Sequence, residues 1–326
     1  MKRAIALAMA LISCISLGGC IQLPQDPTQS TEPPQLTGKA ALQGKKVLFV
    51  GDSMVFWGHC VMNNSSDEKR YDDRGYFYQL CNANGIDITV TNWTHPGKGL
   101  EYIYDNYIAN EAYPDRLKDF QYDYIIVSGG RSAMNTGAYM MGILEKYIAL
   151  FRAANPNVKF LYLVSAAAHK IALNQSFPTD LLNNLDEIEK MGVTIIDWGK
   201  VVSDIVDGIT PVPGATQEFN FDSFVVSRTE EDGAHPNVLA GYITALMTYC
   251  ILTGESAVGQ PYAFCWDKTL DSRFNFPNYE SHNYKYTTTN FRQIFDSPAD
   301  MAGVQKLVDQ CIAEKAYLTY NYAPLE

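Results

Sequence analysis

The sequence is poor in basic residues and carries no basic patch. Its 326 residues include 25 lysines and arginines against 36 aspartates and glutamates. This balance argues against nucleic acid as a partner, because nucleic-acid binding depends on clustered positive charge. The hydrophobic share of 47% is large enough for the chain to bury a full core.

Cysteine is present, but without the spacing of a zinc site. Cys14 lies in the N-terminal signal discussed next and Cys20 is the expected lipidation site, so five cysteines remain, an odd number. At least one thiol must therefore stay unpaired, even in a compartment that permits disulfides. We expect most of these thiols to be buried and inert. The remaining cysteines are Cys60, Cys81, Cys250, Cys265 and Cys311.

The N-terminus has the pattern of a secretory signal. Two basic residues precede an apolar run at residues 4–15, which is too short to span a bilayer. The following Leu17-Gly18-Gly19-Cys20 resembles the lipobox of bacterial lipoproteins, whose cysteine is lipid-modified and becomes the new N-terminus. The resemblance implies a signal peptide over residues 1–20. It also implies a protein of the cell envelope, outside the cytoplasm and held to the membrane by a lipid on Cys20.

Predicted strands alternate with predicted helices over the middle of the chain. Strands are predicted to start near residues 46, 87, 122, 158 and 193, with helices between them. This alternation predicts an α/β fold with a parallel sheet over residues 45–253. Residues 21–44, rich in Pro, Gln and Thr, are predicted to be a flexible tether. Residues 254–326, rich in aromatics, are predicted to be an extension packed on the main domain.

Gly51-Asp52-Ser53 follows the first predicted strand directly. Groups that do chemistry in parallel sheets lie just past the carboxyl ends of strands, which makes Ser53 a candidate nucleophile. The same three residues also favour an ordinary turn and helix cap, so the motif alone does not show that Ser53 is a nucleophile. We expect Asp52 to stabilise this turn rather than to act as an acid.

A serine nucleophile needs a base, and the base needs a third group that orients it. His235 follows Asp232 by three residues, with Gly233 between them and Pro236 after. A tight turn there can bring the Asp232 carboxylate against the imidazole ring. The chain therefore contains an ordered Ser53, Asp232 and His235 set.

The other histidines have less specific surroundings. His59 is expected to lie in a surface loop rather than to line the mouth of the site, and His95 either shapes the acyl pocket or packs within its loop. His169 and His282 have no companion ligands in the sequence and are interpreted as structural.

Four blocks of the chain can be compared with the SGNH (GDSL-type) hydrolase family, which the sequence resembles over residues 45–253. Gly51-Asp52-Ser53 resembles the family's first block, and Asp232-x-x-His235-Pro236 resembles the last. The second block, an Asn and a Gly separated by four residues, matches Asn92 and Gly97. The third block departs, because the family's Asn position in Gly-x-Asn-Asp is occupied by Ser132.

The resemblance implies a flavodoxin-like three-layer α/β/α sandwich with a five-stranded parallel sheet, and ester hydrolysis without a metal or cofactor. It makes Ser53 the nucleophile, His235 the base and Asp232 the group that orients the base. It also implies an oxyanion hole built by the N–H groups of Ser53 and Gly97. The third oxyanion donor is left open among Ser132, Asn135 and Arg131.

The function expected from the sequence is a lipid-anchored serine esterase. Its substrate would be an acylated small molecule or polysaccharide, with acetyl groups on polysaccharide or cell-envelope glycan as the specific expectation. Two alternatives stay open. One is an O-acyltransferase that uses the same triad, and the other is a non-catalytic glycan-binding surface lipoprotein, which the altered third block would favour.

Overall fold

The structure, a computed structural model, describes most of the chain from residue 37 to residue 315. The described ranges are 37–62, 70–112, 120–129, 137–165, 180–206, 208, 210–220, 223–226, 235–266 and 291–315. Several features singled out from the sequence lie outside them. These are the signal peptide with Cys20, the third-block candidates Arg131, Ser132 and Asn135, the carboxylate Asp232, and the histidines His169 and His282.

A six-stranded sheet forms the centre of the fold. Its strands are β1 (Lys45–Gly51), β2 (Arg70–Tyr71), β3 (Ile88–Thr94), β4 (Tyr124–Ser128), β5 (Lys159–Leu163) and β6 (Val193–Ile196), in the order β2-β3-β1-β4-β5-β6. The five predicted strands are confirmed, and all five run parallel. The antiparallel strand β2 was not predicted, because two residues are too few to carry a hydrophobic pattern.

The order of the parallel strands confirms the flavodoxin-like topology. Numbered along the chain, the five parallel strands follow the order 2-1-3-4-5, and the order reverses at β1. In such sheets the ligand crevice opens at this switch point, beyond the carboxyl ends of the strands. Ser53 comes two residues after β1 and therefore lies at this crevice.

Ten α-helices are described. They are α1 (Ser53–Phe56), α2 (Tyr76–Ala83), α3 (Leu100–Ile103), α4 (Gly137–Ala154), α5 (Asp180–Asn183), α6 (Leu185–Lys190), α7 (Trp198–Val206), α8 (Val238–Thr253), α9 (Phe291–Phe295) and α10 (Pro298–Glu314). Short 3-10 helices span Gly38–Ala41, Trp57–His59 and Ala263–Trp266, and a π-helical turn spans Tyr104–Ile108. The hairpin strands β7 (Val225–Val226) and β8 (His235–Pro236) complete the described elements.

Side chains alternate across the sheet and build one core on each face. Val47 and Phe49 of β1 belong to a core shared with α2, α7, α8 and α10. Leu48 and Val50, on the opposite face, belong to a core shared with α3, α4, α5 and α6. Because both faces are covered, the central strands β1 and β4 have buried apolar side chains on both faces, at residues 47–50 and 125–127. The predicted three-layer sandwich is confirmed.

The folded body begins earlier than predicted. Residues 37–44 were assigned to the tether, but Gly38–Ala41 forms a 3-10 helix and the Leu42 side chain is fully buried. The Tyr124 hydroxyl donates to the carbonyl of Ala41 at 3.1 Å, which joins this segment to β4. The prediction was wrong here because the apolar stretch is short and directly follows the Pro- and Thr-rich residues 21–36. It is therefore too short to show a hydrophobic pattern of its own.

The described part of the C-terminal segment packs on α8. This helix is apolar on all sides, so it requires cover on the face turned away from the sheet. Leu307 and Val308 of α10 lie in the same core as α8, and the Gln305 side-chain amide donates to the Tyr242 hydroxyl at 3.0 Å. Of the described helices, none is both long enough and apolar enough to cross a membrane.

Candidate active site

Ser53 and His235 meet at the carboxyl end of β1. The Oγ of Ser53 lies 2.9 Å from Nε2 of His235, although 182 positions separate the two residues in the chain. This is hydrogen-bond distance for a hydroxyl and an imidazole nitrogen. The structure therefore brings together two of the three residues that the sequence proposed as a triad.

The position of Ser53 is set by the turn between β1 and α1. Asp52 is the N-cap of α1, and its carboxylate accepts a hydrogen bond from the backbone N–H of Met54 at 3.0 Å. This is the stabilising role expected for Asp52. The cap holds Ser53 as the first residue of the helix, directly beyond the end of β1.

The position of His235 is set by a hairpin and a helix cap. Val226 of β7 pairs with His235 of β8, and the hairpin leads straight into α8. Asn237 caps that helix, because its Oδ1 accepts from the N–H groups of Leu239 and Ala240 at 2.9 and 3.2 Å. Its Nδ2 also donates to the carbonyl of Ser223 at 2.8 Å. His235 is thus fixed to the start of a buried helix.

Two glycines join the serine segment to the histidine helix. A Cβ on Gly241 would lie 1.7 Å from the carbonyl oxygen of Gly58, and a Cβ on Gly58 would lie 2.3 Å from the carbonyl oxygen of Asn237. Gly58 also has a φ of 78°, a conformation that favours glycine. This close backbone contact brings the segment that carries Ser53 against the start of the helix that follows His235.

Trp57 packs on His235, a contact that was not predicted from the sequence. The ring centroids are 4.7 Å apart with an interplanar angle of 39°. Trp57 follows Ser53 by four residues, and its backbone N–H donates to the Ser53 carbonyl. The spacing Ser-x-x-x-Trp within one helical turn was the available signal.

The Asp52 carboxyl group lies in an unusual electrostatic environment. Burial raises its pKa to about 6, while the hydrogen bond from Met54 and the attraction of His235 act in the opposite direction. A buried carboxylate is costly unless it is satisfied by hydrogen bonds and nearby positive charge. Asp52 therefore adds negative potential close to the imidazole.

The loop after β3 lies beside the serine turn. The N–H of His95 donates to the carbonyl of Gly51 at 2.9 Å, and Gly97 follows with a φ of 65° in an exposed turn. The His95 ring is buried and stacks on Tyr107 at 4.2 Å with an angle of 6°. Of the two roles left open for His95, this geometry supports packing within the loop.

No protein-family model matches the chain, and no curated protein has a significantly similar sequence. Several solved structures are similar. One is a DUF4886 family protein from Bacteroides uniformis, at a TM-score of 0.50 and 15% identity over 83% of this chain and 95% of that one. The chain shares its fold with that protein. At this identity the similarity shows the fold alone.

Two further similar structures have lower TM-scores. A carbohydrate esterase family 3 protein from Talaromyces cellulolyticus has a TM-score of 0.41 and 15% identity over 65% of this chain and 100% of that one. A member of the lipolytic protein G-D-S-L family from Veillonella parvula has a TM-score of 0.41 and 14% identity. It covers 63% of this chain and 96% of that one.

His59 is not the surface histidine that the sequence predicted. Its side chain is only 3% exposed, and its ring meets the edge of Tyr76 at 5.7 Å. Burial lowers the pKa of His59 to about 3, so the ring is neutral near pH 7. The prediction was wrong because the 3-10 turn at Trp57–His59 packs the ring against Tyr76 of α2.

The described thiols are poor alternatives to Ser53 as a nucleophile. All five are unpaired, four of them buried and Cys311 partly exposed. Cys60 lies closest to Ser53 in sequence, and burial raises the pKa of its thiol well above the ordinary value. Burial likewise raises the pKa of Cys81 to about 12. Thiols that stay protonated are weak nucleophiles.

No metal site is evident in the part of the chain that the structure describes. There, no three or more His, Cys, Asp or Glu side chains are grouped so that they could hold a metal ion. Among those residues, the arrangement that can do chemistry is the serine–histidine pair with its aromatic and carboxylate neighbours.

Proposed function

We propose that this chain is a serine hydrolase of acyl esters of the SGNH type. The observation that carries the proposal is the 2.9 Å approach of Ser53 Oγ to His235 Nε2 at the switch point of the sheet. A hydroxyl activated by an imidazole is the minimal unit of nucleophilic acyl transfer. The motif order in the sequence supports the same assignment.

In the proposed mechanism, the Ser53 hydroxyl donates its hydrogen bond to His235 Nε2 and attacks the acyl carbonyl carbon. His235 takes the hydroxyl proton and then delivers it to the oxygen of the leaving alcohol, which leaves an acyl group on Ser53. Water, activated by the same imidazole, then releases the acid and restores the serine. Asp232 is the proposed acceptor for the other ring nitrogen.

The oxyanion of the tetrahedral intermediate would be stabilised by backbone N–H groups. Ser53 offers one at the first turn of α1, and Gly97 offers another in the loop beside Gly51. Such preorganised donors are usually the largest electrostatic contribution to acyl transfer, about 3 kcal/mol each. Ser132, Asn135 or Arg131 is proposed as the third donor.

For the substrate, we propose acetyl or other short acyl esters on a polysaccharide or cell-envelope glycan. For the location, we propose the cell envelope, with the lipid on Cys20 as the membrane anchor. Both proposals follow from the lipobox and from the expected surface placement. The acidic balance of the chain, with 36 acidic and 25 basic residues, offers little attraction to anionic lipid in its place.

Turnover of a panel of esters tests the proposal. The panel contains short- and long-chain p-nitrophenyl esters and acetylated polysaccharides. We expect turnover by wild type and a loss of several orders of magnitude in kcat for Ser53→Ala, as for other triad deletions. Ser256→Ala is the matched control, since Ser256 is exposed beyond the far end of α8, roughly 24 Å along the helix from its start. Equal turnover by Ser53→Ala and wild type would refute the assignment.

A further inference from the structure

His235 makes two separate contacts with one short segment of the chain. One is its hydrogen-bond contact with Ser53, and the other is its ring contact with Trp57. The Trp57 N–H donates to the Ser53 carbonyl, so the two residues lie one turn apart on the same segment. Ser53 meets the Nε2 edge of the imidazole, and Trp57 packs on the ring at 4.7 Å. The two contacts therefore involve different parts of the same ring.

The geometry also allows an electrostatic effect. An aromatic ring within about 6 Å of a cation attracts it through the negative charge on the ring face, and indole is the strongest of the aromatic side chains in this respect. During acyl transfer the imidazole becomes a cation. Trp57 is half-buried, so the contact is partly shielded from water, which strengthens the attraction.

We propose that Trp57 is a positioning residue for His235, holding the imidazole on Ser53 and stabilising the imidazolium that forms in the reaction. The effect of Trp57 on turnover rests on the proposed function. The contact itself, and its effect on the charge of His235, can be measured without any substrate.

Other charged groups near His235 must be held constant in a test. Asp52, the N-cap of α1, interacts electrostatically with the imidazole. Asp232, the proposed partner of the ring, lies outside the described residues and belongs to the same set. Both carboxylates are retained in every variant below, so differences between variants report the aromatic ring.

The main test compares Trp57→Leu, Trp57→Phe and wild type. The readouts are kcat, KM and the titration midpoint of the His235 ring, measured by NMR in the Ser53→Ala background. For Trp57→Leu we expect kcat to fall about tenfold or more, because a misplaced catalytic group is costly, with KM changed little. We also expect the midpoint to fall by about half a pH unit, since one favourable contact with the cation is lost. Trp57→Phe should recover most of both effects.

Tyr107→Leu is the matched control for the titration. It removes an aromatic ring that stacks on a different histidine, His95. We expect the His235 midpoint to be the same in this variant as in wild type. An equal downward shift in Tyr107→Leu and Trp57→Leu would contradict a specific contact.

A second measurement leaves Trp57 in place, in case Trp57→Leu does not fold. A protonated imidazole quenches the emission of an indole in contact with it, so acidification should quench part of the wild-type tryptophan emission. This quenching should disappear in His235→Asn and in Trp57→Phe. Quenching that persists in both variants, or an unchanged midpoint and kcat in a folded Trp57→Leu, would overturn the proposal. Absence of ester turnover with a shifted midpoint would instead count against the proposed function alone.

Discussion

Single residues in one short segment decide the character of the site. Ser53 lies within hydrogen-bond distance of His235, Trp57 packs on the same ring, and His59 is buried. The segment is therefore both the source of the proposed nucleophile and part of the packing that holds it.

His59 should make the protein less stable in acid. Its folded pKa is about 3 against an ordinary value of 6.5, so the folded state binds fewer protons than the unfolded state between these values. Stability is therefore fully present above pH 6.5 and is lost as pH falls toward 3. Between pH 7.5 and 4.5 this group alone should cost on the order of 3 kcal/mol.

The measurement is urea unfolding of wild type and His59→Asn at both pH values. Asparagine tolerates the positive φ of 69° at this position and does not titrate. We expect His59→Asn to lose less stability than wild type on acidification. Asp52, whose pKa of about 6 acts in the opposite direction, is present in both proteins and cancels. Equal losses in both would contradict the buried neutral histidine.

Some of these residue roles could be predicted from the sequence, and others could not. Ser53 and His235 were found because their local motifs constrain both residue type and order. The burial of His59 and the contact of Trp57 with His235 could not be predicted. A four-residue helix followed by a 3-10 turn has too few residues to show a periodic pattern. Asp232 remains a sequence-based prediction.

At the scale of elements, the contact between the 3-10 turn at Trp57–His59 and α8 sets the geometry of the site. Gly58 and Gly241 let the two backbones approach, with an added Cβ on Gly241 only 1.7 Å from the Gly58 carbonyl oxygen. At both glycines the atoms nearest to an added Cβ are backbone atoms, so the clash cannot be relieved by a side-chain rotation.

Gly241→Ala should therefore push α8 away from the serine segment. We expect a loss of about 3 kcal/mol or more in unfolding free energy and a large fall in kcat, because His235 moves with α8. Gly142→Ala is the control, since Gly142 is an exposed helical glycine with open space around its Cα. That change should stabilise the protein by about 0.5–1 kcal/mol. Full activity in Gly241→Ala would show that the contact does not position the site.

The elements themselves differ in how far the sequence predicts them. Strands β1, β4, β5 and β6 are mostly apolar, β3 is mostly β-branched, and helix α2 occupies the predicted residues Tyr76–Ala83. The start of the fold was placed too late, because Ala41 and Leu42 are too short an apolar stretch to register beside a Pro-rich segment. Leu42 is buried in the core shared with α8, and Ala41 accepts a hydrogen bond from Tyr124 of β4, both of which are distant in sequence.

At the scale of the whole molecule, the described residues between 37 and 315 form one compact unit. The apolar helix α8 is covered by the sheet on one side and by α10 on the other, so the described C-terminal residues belong to the same core as the site. The sequence predicted that the C-terminal segment packs on the main domain. It did not show which helix the segment contacts, because α8 is apolar on every face.

The proposed anchor is also a property of the whole molecule. Cys20→Ala should stop lipidation and release the protein from membranes, because the acidic chain offers no second attachment by charge. Cys14→Ala, within the apolar run of the signal, should leave the protein in the membrane fraction. The measurement is the distribution between membrane and soluble fractions. Complete retention of Cys20→Ala with membranes would contradict the lipid anchor.

The central claim is that Ser53 and His235 act as one nucleophilic unit, and covalent labelling tests it most directly. Wild type, Ser53→Ala and His235→Asn are treated with a fluorophosphonate, and the labelled peptide is identified by mass spectrometry. We predict one adduct, on Ser53, in wild type, none in Ser53→Ala, and labelling of Ser53 slowed by orders of magnitude in His235→Asn. Labelling of Ser53 at the same rate with and without His235, or an adduct that survives Ser53→Ala, would contradict the account.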